Sequence, residues 1–379
     1  MVKPVRTFAQ PEHRELLDLV EEIAENELAP RVADAEREGA QPREVIDLLA
    51  RSGLLGLPFP ERWGGADQPY EVYLQALELL ASRWFAVAES VHLQVLAAHG
   101  LARFGTDAQR DRWLPDLLSG KMLGATCMSE AESGSDLESI RTTASREGEG
   151  YRLNGTKSWV SHGGVAGLYN VYCRTGAAGI AGISCLLVEA DLPGVQPHAP
   201  EHKMALSTVP TAQITFDAVA VPAEQRLGRE NRGMLIASSV FEHGRLGIAA
   251  CAVGLAQAAL DYAVAYAKTR IQFGVPIIRH QGIGFMLADM ATQTAAARAL
   301  LLAAARLRDA GKPFSAEAAQ AKLFASDTAM RVTTDAVQVL GGHGYVRDHP
   351  VERWMREAKL LQIIEGTNQI QRIAIARAL

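Results

Sequence analysis

The sequence predicts an α+β multidomain protein, with helices first, a strand-rich middle and long helices to the end. Three observations carry this reading. Apolar residues recur at helical spacing as far as Leu118, and short alternating runs broken by glycine begin after Gly124. Long helical stripes then return from Gly233 onward. The divisions fall at residues 1–122, 123–229 and 230–379.

In the first division, Leu16, Leu17, Leu19, Val20, Ile23, Ala24 and Leu28 fit a helix over residues 11–29, and Pro30 is its stop signal. Similar patterns run from Pro42 to Leu118, broken by the turn-rich stretch from Pro58 to Ala66. In the middle division, glycines at 155, 163, 164, 167, 176, 179 and 182 separate alternating pairs such as Tyr151/Leu153 and Val171/Cys173. Ile183/Cys185/Leu187 and Ala212/Ile214/Phe216 continue the pattern, so a small β unit of the barrel or sandwich kind is expected. In the third, Leu255, Ala258, Ala259, Tyr262, Ala263 and Tyr266 make one apolar stripe. A second passes through Leu323, Phe324, Val332, Val337 and Leu340. There is no internal repeat or low-complexity linker, which points to one compact ligand-binding whole.

The chain has 379 residues, 48% apolar and 21% charged, enough for a sizeable core and unlike a disordered protein. Its net charge is −5 and it holds no dense basic block, so neither nucleic acid nor a membrane surface is an expected partner. A few local arginines can still serve a phosphorylated ligand. Cysteines at 127, 173, 185 and 251 form no C-x-x-C pair, which fits a reducing, cytoplasmic setting. Met1 to Gln10 lacks an apolar core of leader length, and Leu246 to Leu260 reads as a buried helix too short to span a bilayer. No P-loop, H-E-x-x-H or G-x-S-x-G pattern is found, so P-loop nucleotide hydrolysis, a zinc centre and a serine elbow are not indicated. Gly341-Gly-His-Gly follows an amphipathic helix, whereas a dinucleotide fingerprint follows a strand. Redox chemistry would therefore need a cofactor held by another architecture.

Four segments can carry chemistry, and each has a plainer reading. Cys127 to Asp136 is small and hydroxyl-rich, fit for close approach of a flat or phosphorylated ligand, or for an ordinary surface turn. Trp159 and Ser161 share one face of a predicted strand, where the indole either shields a ligand or fills the core. Arg270-Ile-Gln-Phe-Gly274 offers a guanidinium fork for pyrophosphate and a ring for adenine, or a solvated arginine closing a helix. Glu365 ends a mostly apolar run, with Gly366 allowing a turn and Thr367 or Asn368 capping the next helix. Held against apolar surface, a carboxylate gains the raised pKa of a general base; at an exposed helix junction it has no such role.

Taken together and in order, these segments resemble the acyl-CoA dehydrogenase family over essentially the whole chain. The pieces that carry the resemblance are the E-x-x-x-G-S-D loop at 130–136, Trp159-x-Ser161, Arg270-x-Gln-Phe-Gly, Gln338-Val-Leu-Gly-Gly342 and Glu365-Gly-Thr367. The resemblance implies an N-terminal helical domain, a middle β domain and a C-terminal four-helix bundle, assembled as a homotetramer with FAD between the β domain and the bundle. It implies that Met128, Ser129, Trp159 and Ser161 contact the flavin. Arg270, Gln272, Phe273, Gln281, Gln338, Gly341 and Gly342 would reach the FAD of a neighbouring subunit, and Thr367 and Gln369 would complete the pocket. Ser135, Glu242, Arg245 and Gly366 fall at substrate-side positions, with the acyl cavity between helices near residues 80–100 and 240–255.

The chemistry implied is dehydrogenation of an acyl-CoA to its α,β-unsaturated form. Glu365 removes the α-proton, a hydride leaves the β-carbon for the flavin, and the electrons pass to an electron-transfer flavoprotein. In the family, the glutamate's backbone N–H and a ribityl hydroxyl of FAD polarise the thioester carbonyl. Two positions depart from the pattern. Ser129-Glu-Ala-Glu stands where relatives usually have Thr-Glu-Pro-Gly, keeping the hydroxyl but losing the rigid ring. Gly244 stands where some relatives carry their base, directly before the arginine matching Arg245, which leaves Glu365 as the candidate. Competing readings on the same scaffold are a dehydrogenase of a carrier-protein-bound acyl group, an acyl-CoA oxidase and a non-catalytic flavin or acyl-CoA binder.

Overall fold

The computed structural model describes residues 10–379. Residues 1–9, and with them most of the stretch read as lacking a leader core, lie outside the described residues. The first third is helical: α1 (Pro11–Ile23) running on through a π-helical turn to Leu28, α2 (Val32–Glu38), α3 (Arg43–Arg51), α4 (Tyr70–Arg83), α5 (Phe85–Phe104) and α6 (Asp107–Leu118). The stretch from Pro58 to Ala66 forms the expected break between α3 and α4. α6 starts on a reciprocal cap, in which Thr106 Oγ1 accepts from Gln109 N and Gln109 Oε1 accepts from Thr106 N.

The middle third is one eight-stranded sheet. Its strands are β1 (Gly124–Cys127), β2 (Thr143–Glu147), β3 (Gly150–Ser161), β4 (Leu168–Arg174), β5 (Ile183–Glu189), β6 (Val195–Pro197), β7 (Thr211–Pro222) and β8 (Arg226–Leu227). They are ordered β6-β7-β3-β2-β4-β5-β8, with β1 parallel to β4. β4 and β5 are buried on both faces, so they do not show the inside–outside alternation of a half-exposed strand. Their alternation divides the side chains between two cores. Leu168, Tyr172, Ile183, Cys185 and Leu187 join the helical core. Tyr169, Val171, Cys173, Leu186 and Val188 join a separate core inside the β unit.

The last third begins with α7 (Gly233–Thr269), followed by the hairpin strands β9 (Ile271–Gln272) and β10 (Val275–Pro276). Then come α8 (Gln281–Asp309), α9 (Ser315–Leu340), α10 (Val351–Leu361) and α11 (Asn368–Ala378). α7, with 37 residues, is far longer than the apolar stretch that announced it, and by length and composition it is apolar enough to cross a membrane. Every residue from Leu246 to Leu260 is nonetheless buried inside the protein, as the sequence reading expected. The α9 stripe needs correction. Phe324 is exposed, and the buried line is Ala318, Ala321, Ala325, Ala329, Val332 and Ala336, because facing helices approach closely over small side chains.

Both helical thirds share one core. α4 and α5 pack on α7, and α4 also meets α8. At that joint Arg298 Nε donates to Glu78 Oε1 at 3.1 Å, and Arg298 donates from the other arm of its fork to Gln257 Oε1 at 2.8 Å.

Candidate active site

Glu365 lies in the turn between α10 and α11. It has φ 53°, and Gly366 has φ 83°. A left-handed conformation is natural for glycine and strained for glutamate, so the surroundings must hold it. Lys322 on α9 donates to the Gly366 carbonyl at 2.9 Å and to Asn368 Oδ1 at 2.8 Å. Gln371 Nε2 donates to the carbonyls of Glu365 at 3.2 Å and Gly366 at 2.7 Å. Thr367 Oγ1 caps α11 by accepting from Ile370 N.

The Glu365 side chain is not at an exposed junction. Some of the residue remains open, but Oε2 is buried and has no hydrogen-bond partner among the described residues. Burial pushes the carboxyl up to about 7 against the pull of Lys322 and Arg245. Burial likewise brings the Lys322 ammonium down to about 8. Gly244 sits against this carboxylate so closely that a Cβ there would collide with Oε2. Position 244 therefore makes room for the base instead of supplying one. The adjoining Arg245 has a buried Nε with no partner among the described residues and senses the charges of Glu242 and Glu365.

A second group of predicted residues lies on the β unit. Met128 is buried, Ser129 and Ser161 are half-buried, and Trp159 is 56% exposed. The indole does not fill the core. A break in the β3–β7 register between Lys157 and Val160, with φ 55° at Trp159, turns it outward while Val160 stays buried. Beneath it, Lys157 Nζ donates to the Met128 carbonyl and to Glu130 Oε1, each at 2.9 Å. Glu130 also accepts from Arg141 N at 2.8 Å and Thr142 N at 2.9 Å. Burial would raise this carboxyl, but Lys157 and the backbone donors outweigh it and hold it low. Glu130 thus fixes the loop that carries Ser129 without the missing proline. Ser135 is exposed in a turn closed by Ser133 Oγ donating to the Asp136 carbonyl at 2.6 Å.

The third group surrounds the end of α7. Arg270 caps that helix, and β9 and β10 meet through the Phe273-Gly274 turn, with φ values of 52° and 79°. The Phe273 ring is 96% exposed. A cavity of about 410 Å³ opens here, lined by Tyr266, Arg270, Gln272, Leu340, Gly341, Gly342 and His343. Tyr266 OH and His343 Nδ1 are hydrogen-bonded across it at 2.6 Å. Gly341 has φ 61° and ψ −134°, and nothing lies within 4 Å of where its Cβ would be. Gln338 and Gln281 are exposed at the nearby ends of α9 and α8, whereas Gln369 is exposed in the first turn of α11, beside the Glu365 turn and away from this cavity. No residue of the β unit lines this cavity, so one chain presents two separate surfaces.

Lys157, Glu130, Lys322 and Gln371 were missed as site-building residues. Two left a signal. Lys157 continues the inward series Tyr151, Leu153, Gly155, and Lys322 falls in the alanine stripe of α9. A lysine at an interior position needs partners.

Three family profiles match in chain order: the acyl-CoA dehydrogenase N-terminal domain over residues 10–121, the middle domain over 125–219 and the C-terminal domain over 231–379. The chain belongs to the acyl-CoA dehydrogenase family. This acyl-CoA dehydrogenase family member is 42% identical to the acyl-CoA dehydrogenase of Bacillus subtilis over 95% of this chain and 96% of that one. The butyryl-CoA dehydrogenase structure from Megasphaera elsdenii superposes with a TM-score of 0.96 at 40% identity, covering 99% of each chain. A solved structure of the electron transferring flavoprotein of Acidaminococcus fermentans matches with the same TM-score, identity and coverage.

Proposed function

We propose that this chain is an FAD-dependent acyl-CoA dehydrogenase that introduces the α,β double bond of an acyl-CoA, with Glu365 as base. The observation that carries the proposal is the buried Oε2 of Glu365, which has no partner among the described residues and sits at a strained turn where burial pushes the carboxyl up to about 7. A carboxylate of that kind is poised to take an α-proton at neutral pH. The positive charges of Arg245 and Lys322 favour its ionised form before the proton arrives.

The residues present fit FAD. An outward indole beside hydroxyls at 129 and 161 suits an isoalloxazine ring, and Arg270 with the Cβ-free Gly341 and Gly342 suits a pyrophosphate. When bound, FAD supplies the acceptor for the β-hydride. Met128, Ser129, Trp159, Ser161, Thr367 and Gln369 would hold the flavin end. Because the Arg270 cavity contains no residue of the β unit, the set Arg270, Gln272, Phe273, Gln281, Gln338, Gly341 and Gly342 is assigned to the FAD of a neighbouring subunit in a homotetramer. Ser135, Glu242, Arg245 and Gly366 are assigned to the acyl-CoA. The match to an electron transferring flavoprotein structure supports such a protein as electron acceptor. Four buried free thiols support a reducing, cytoplasmic setting.

The test is anaerobic titration of the yellow holoenzyme with butyryl-CoA and longer or branched acyl-CoAs. Bleaching of the flavin band by a group of thioesters is expected. A flavin that no acyl-CoA bleaches would overturn the proposal.

A further inference from the structure

A second buried carboxylate has no part in the reaction above. Glu89, in the second turn of α5, is 3% exposed, and its Oε2 is buried with no hydrogen-bond partner among the described residues. Its place follows from how α5 and α7 lie together. Leu96 comes within 3.4 Å of where a Gly244 Cβ would sit, beside the Glu365 carboxylate. One turn back along α5, the His92 ring packs so tightly on Gly247 that a Cβ there would enter it. Glu89 is next on the same face, since residues 89, 92 and 96 follow i, i+3, i+7 spacing. On α7 the matching series is 244, 247 and 251, so the two helices run in opposite directions past one another. Seven residues of helix place Glu89 about 10 Å from the level of the base.

The other polar groups on this face are already satisfied. The Gly244 carbonyl can only accept, so His92 Nε2 donates to it at 3.1 Å, and Nδ1 accepts from Tyr73 OH at 3.1 Å. Burial brings the His92 imidazole down to about 4, which keeps it neutral in that tautomer. Burial pushes the Glu89 carboxyl up to about 7, Lys203 pulls it down and Glu365 raises it further. Cys251, on the facing side of α7, senses the Glu89 charge in turn. The two carboxylates therefore share one buried region, and among the described residues of this helix face it is Glu89 that keeps an open hydrogen-bonding capacity.

We infer that Glu89 is a specificity-determining residue that receives a hydrogen-bond donor, a hydroxyl or an amine, on the distal part of an acyl chain whose α-carbon lies at Glu365. The inference rests on the dehydrogenase reading. A plain alkyl chain would leave Oε2 unpaired, and a terminal carboxylate would meet a like charge. A donor-bearing chain pairs it, and a site built around a buried polar group discriminates strongly against analogues that lack the partner.

The experiment measures kcat/KM of the holoenzyme for straight-chain acyl-CoAs from butyryl to octanoyl and for their ω-hydroxy, ω-amino and ω-carboxy counterparts. Wild type is compared with Glu89→Leu and Glu89→Gln. Wild type should favour a hydroxy or amino chain over the plain chain of one length by about tenfold or more, and Glu89→Leu should abolish that ratio. Glu89→Gln keeps an acceptor but no charge, so it should retain a hydroxyl preference and lose an amino preference. Equal ratios in wild type and Glu89→Leu at every length would overturn the inference, leaving a carboxyl satisfied by water. Turnover of plain chains with no donor preference removes only the role of Glu89. Failure to turn over any thioester removes the dehydrogenase reading and this inference with it.

Discussion

Replacing Gly244 by alanine separates the position of the base from the stability of the fold. The new Cβ would lie 3.0 Å from Glu365 Cδ, closer still to Oε2, and 3.4 Å from Leu96 Cδ1. Two stability effects oppose each other. Alanine in a helix interior gains about 1 kcal/mol over glycine. Overpacking costs about 1–3 kcal/mol. The net change is then near zero to about 2 kcal/mol destabilising, a shift of a few degrees in Tm. Activity should respond far more. The turn at Glu365 is held from behind by Lys322 and Gln371, so the carboxylate itself must swing away. A displacement of about 1 Å at the reacting group costs about a hundredfold, or about 2.7 kcal/mol of barrier. The assay is the rate of flavin reduction by butyryl-CoA in rapid mixing, alongside thermal unfolding of the same preparation. Wild-type reduction kinetics in Gly244→Ala would refute the placement of the base.

Glu365→Gln should keep its bound flavin yet lose at least about a thousandfold in flavin reduction, and near-normal bleaching would remove Glu365 from the mechanism. In the wild type, kcat/KM should rise with pH through about 7 as Glu365 ionises, and a profile flat across that range would contradict the buried base. Stability runs the other way. The fold favours the protonated form of this carboxyl, so its contribution is full below the ordinary carboxylate range and is lost as pH rises through about 7. Glu89 at about 7 and Glu357 at about 8 act in the same direction, so Tm should fall on the alkaline side. Lys157→Met leaves the Glu130 carboxylate with its two backbone donors but no ion-pair partner, and should destabilise by about 3 kcal/mol in urea unfolding. Adding Glu130→Gln should recover part of that loss, whereas an undiminished loss in the double variant would show that the ion pair is not its origin.

The order of helices and strands was legible because periodicity is a local property: the α1 stripe ends at its proline region, Tyr151 and Leu153 of β3 share one core, and Ile183, Cys185 and Leu187 of β5 share the other. Phe324 was misjudged because α9 packs through alanines, whose burial leaves only a weak trace in a pattern dominated by large side chains. The site was harder to read. Glu365 looked like a helix-junction glutamate, since what buries it comes from α7 and α9, with Gly244 of α7 roughly a hundred and twenty residues away along the chain. Glu130 was read as part of a turn, and only the pairing of its loop with β3 shows it neutralising Lys157. Glu89 gave no signal at all, because a glutamate within an apolar helix declares its role only through what it fails to touch.

The core shared by α4, α5 and α7 bears on how the chain is made. The apolar faces of α4 and α5 are complete once residue 104 has been synthesised, but their partner does not begin until Gly233. Some hundred and thirty residues, comprising α6 and the whole β unit, must therefore emerge while those faces wait. Long-range closure of this kind is slow, and surface left uncovered in the interval is prone to association. Glu78 likewise waits for Arg298, two hundred and twenty residues downstream. A fragment ending with the β unit would expose the faces that α7 covers, so the three stretches that look like modules in the sequence complete their folding together, after the last of them leaves the ribosome.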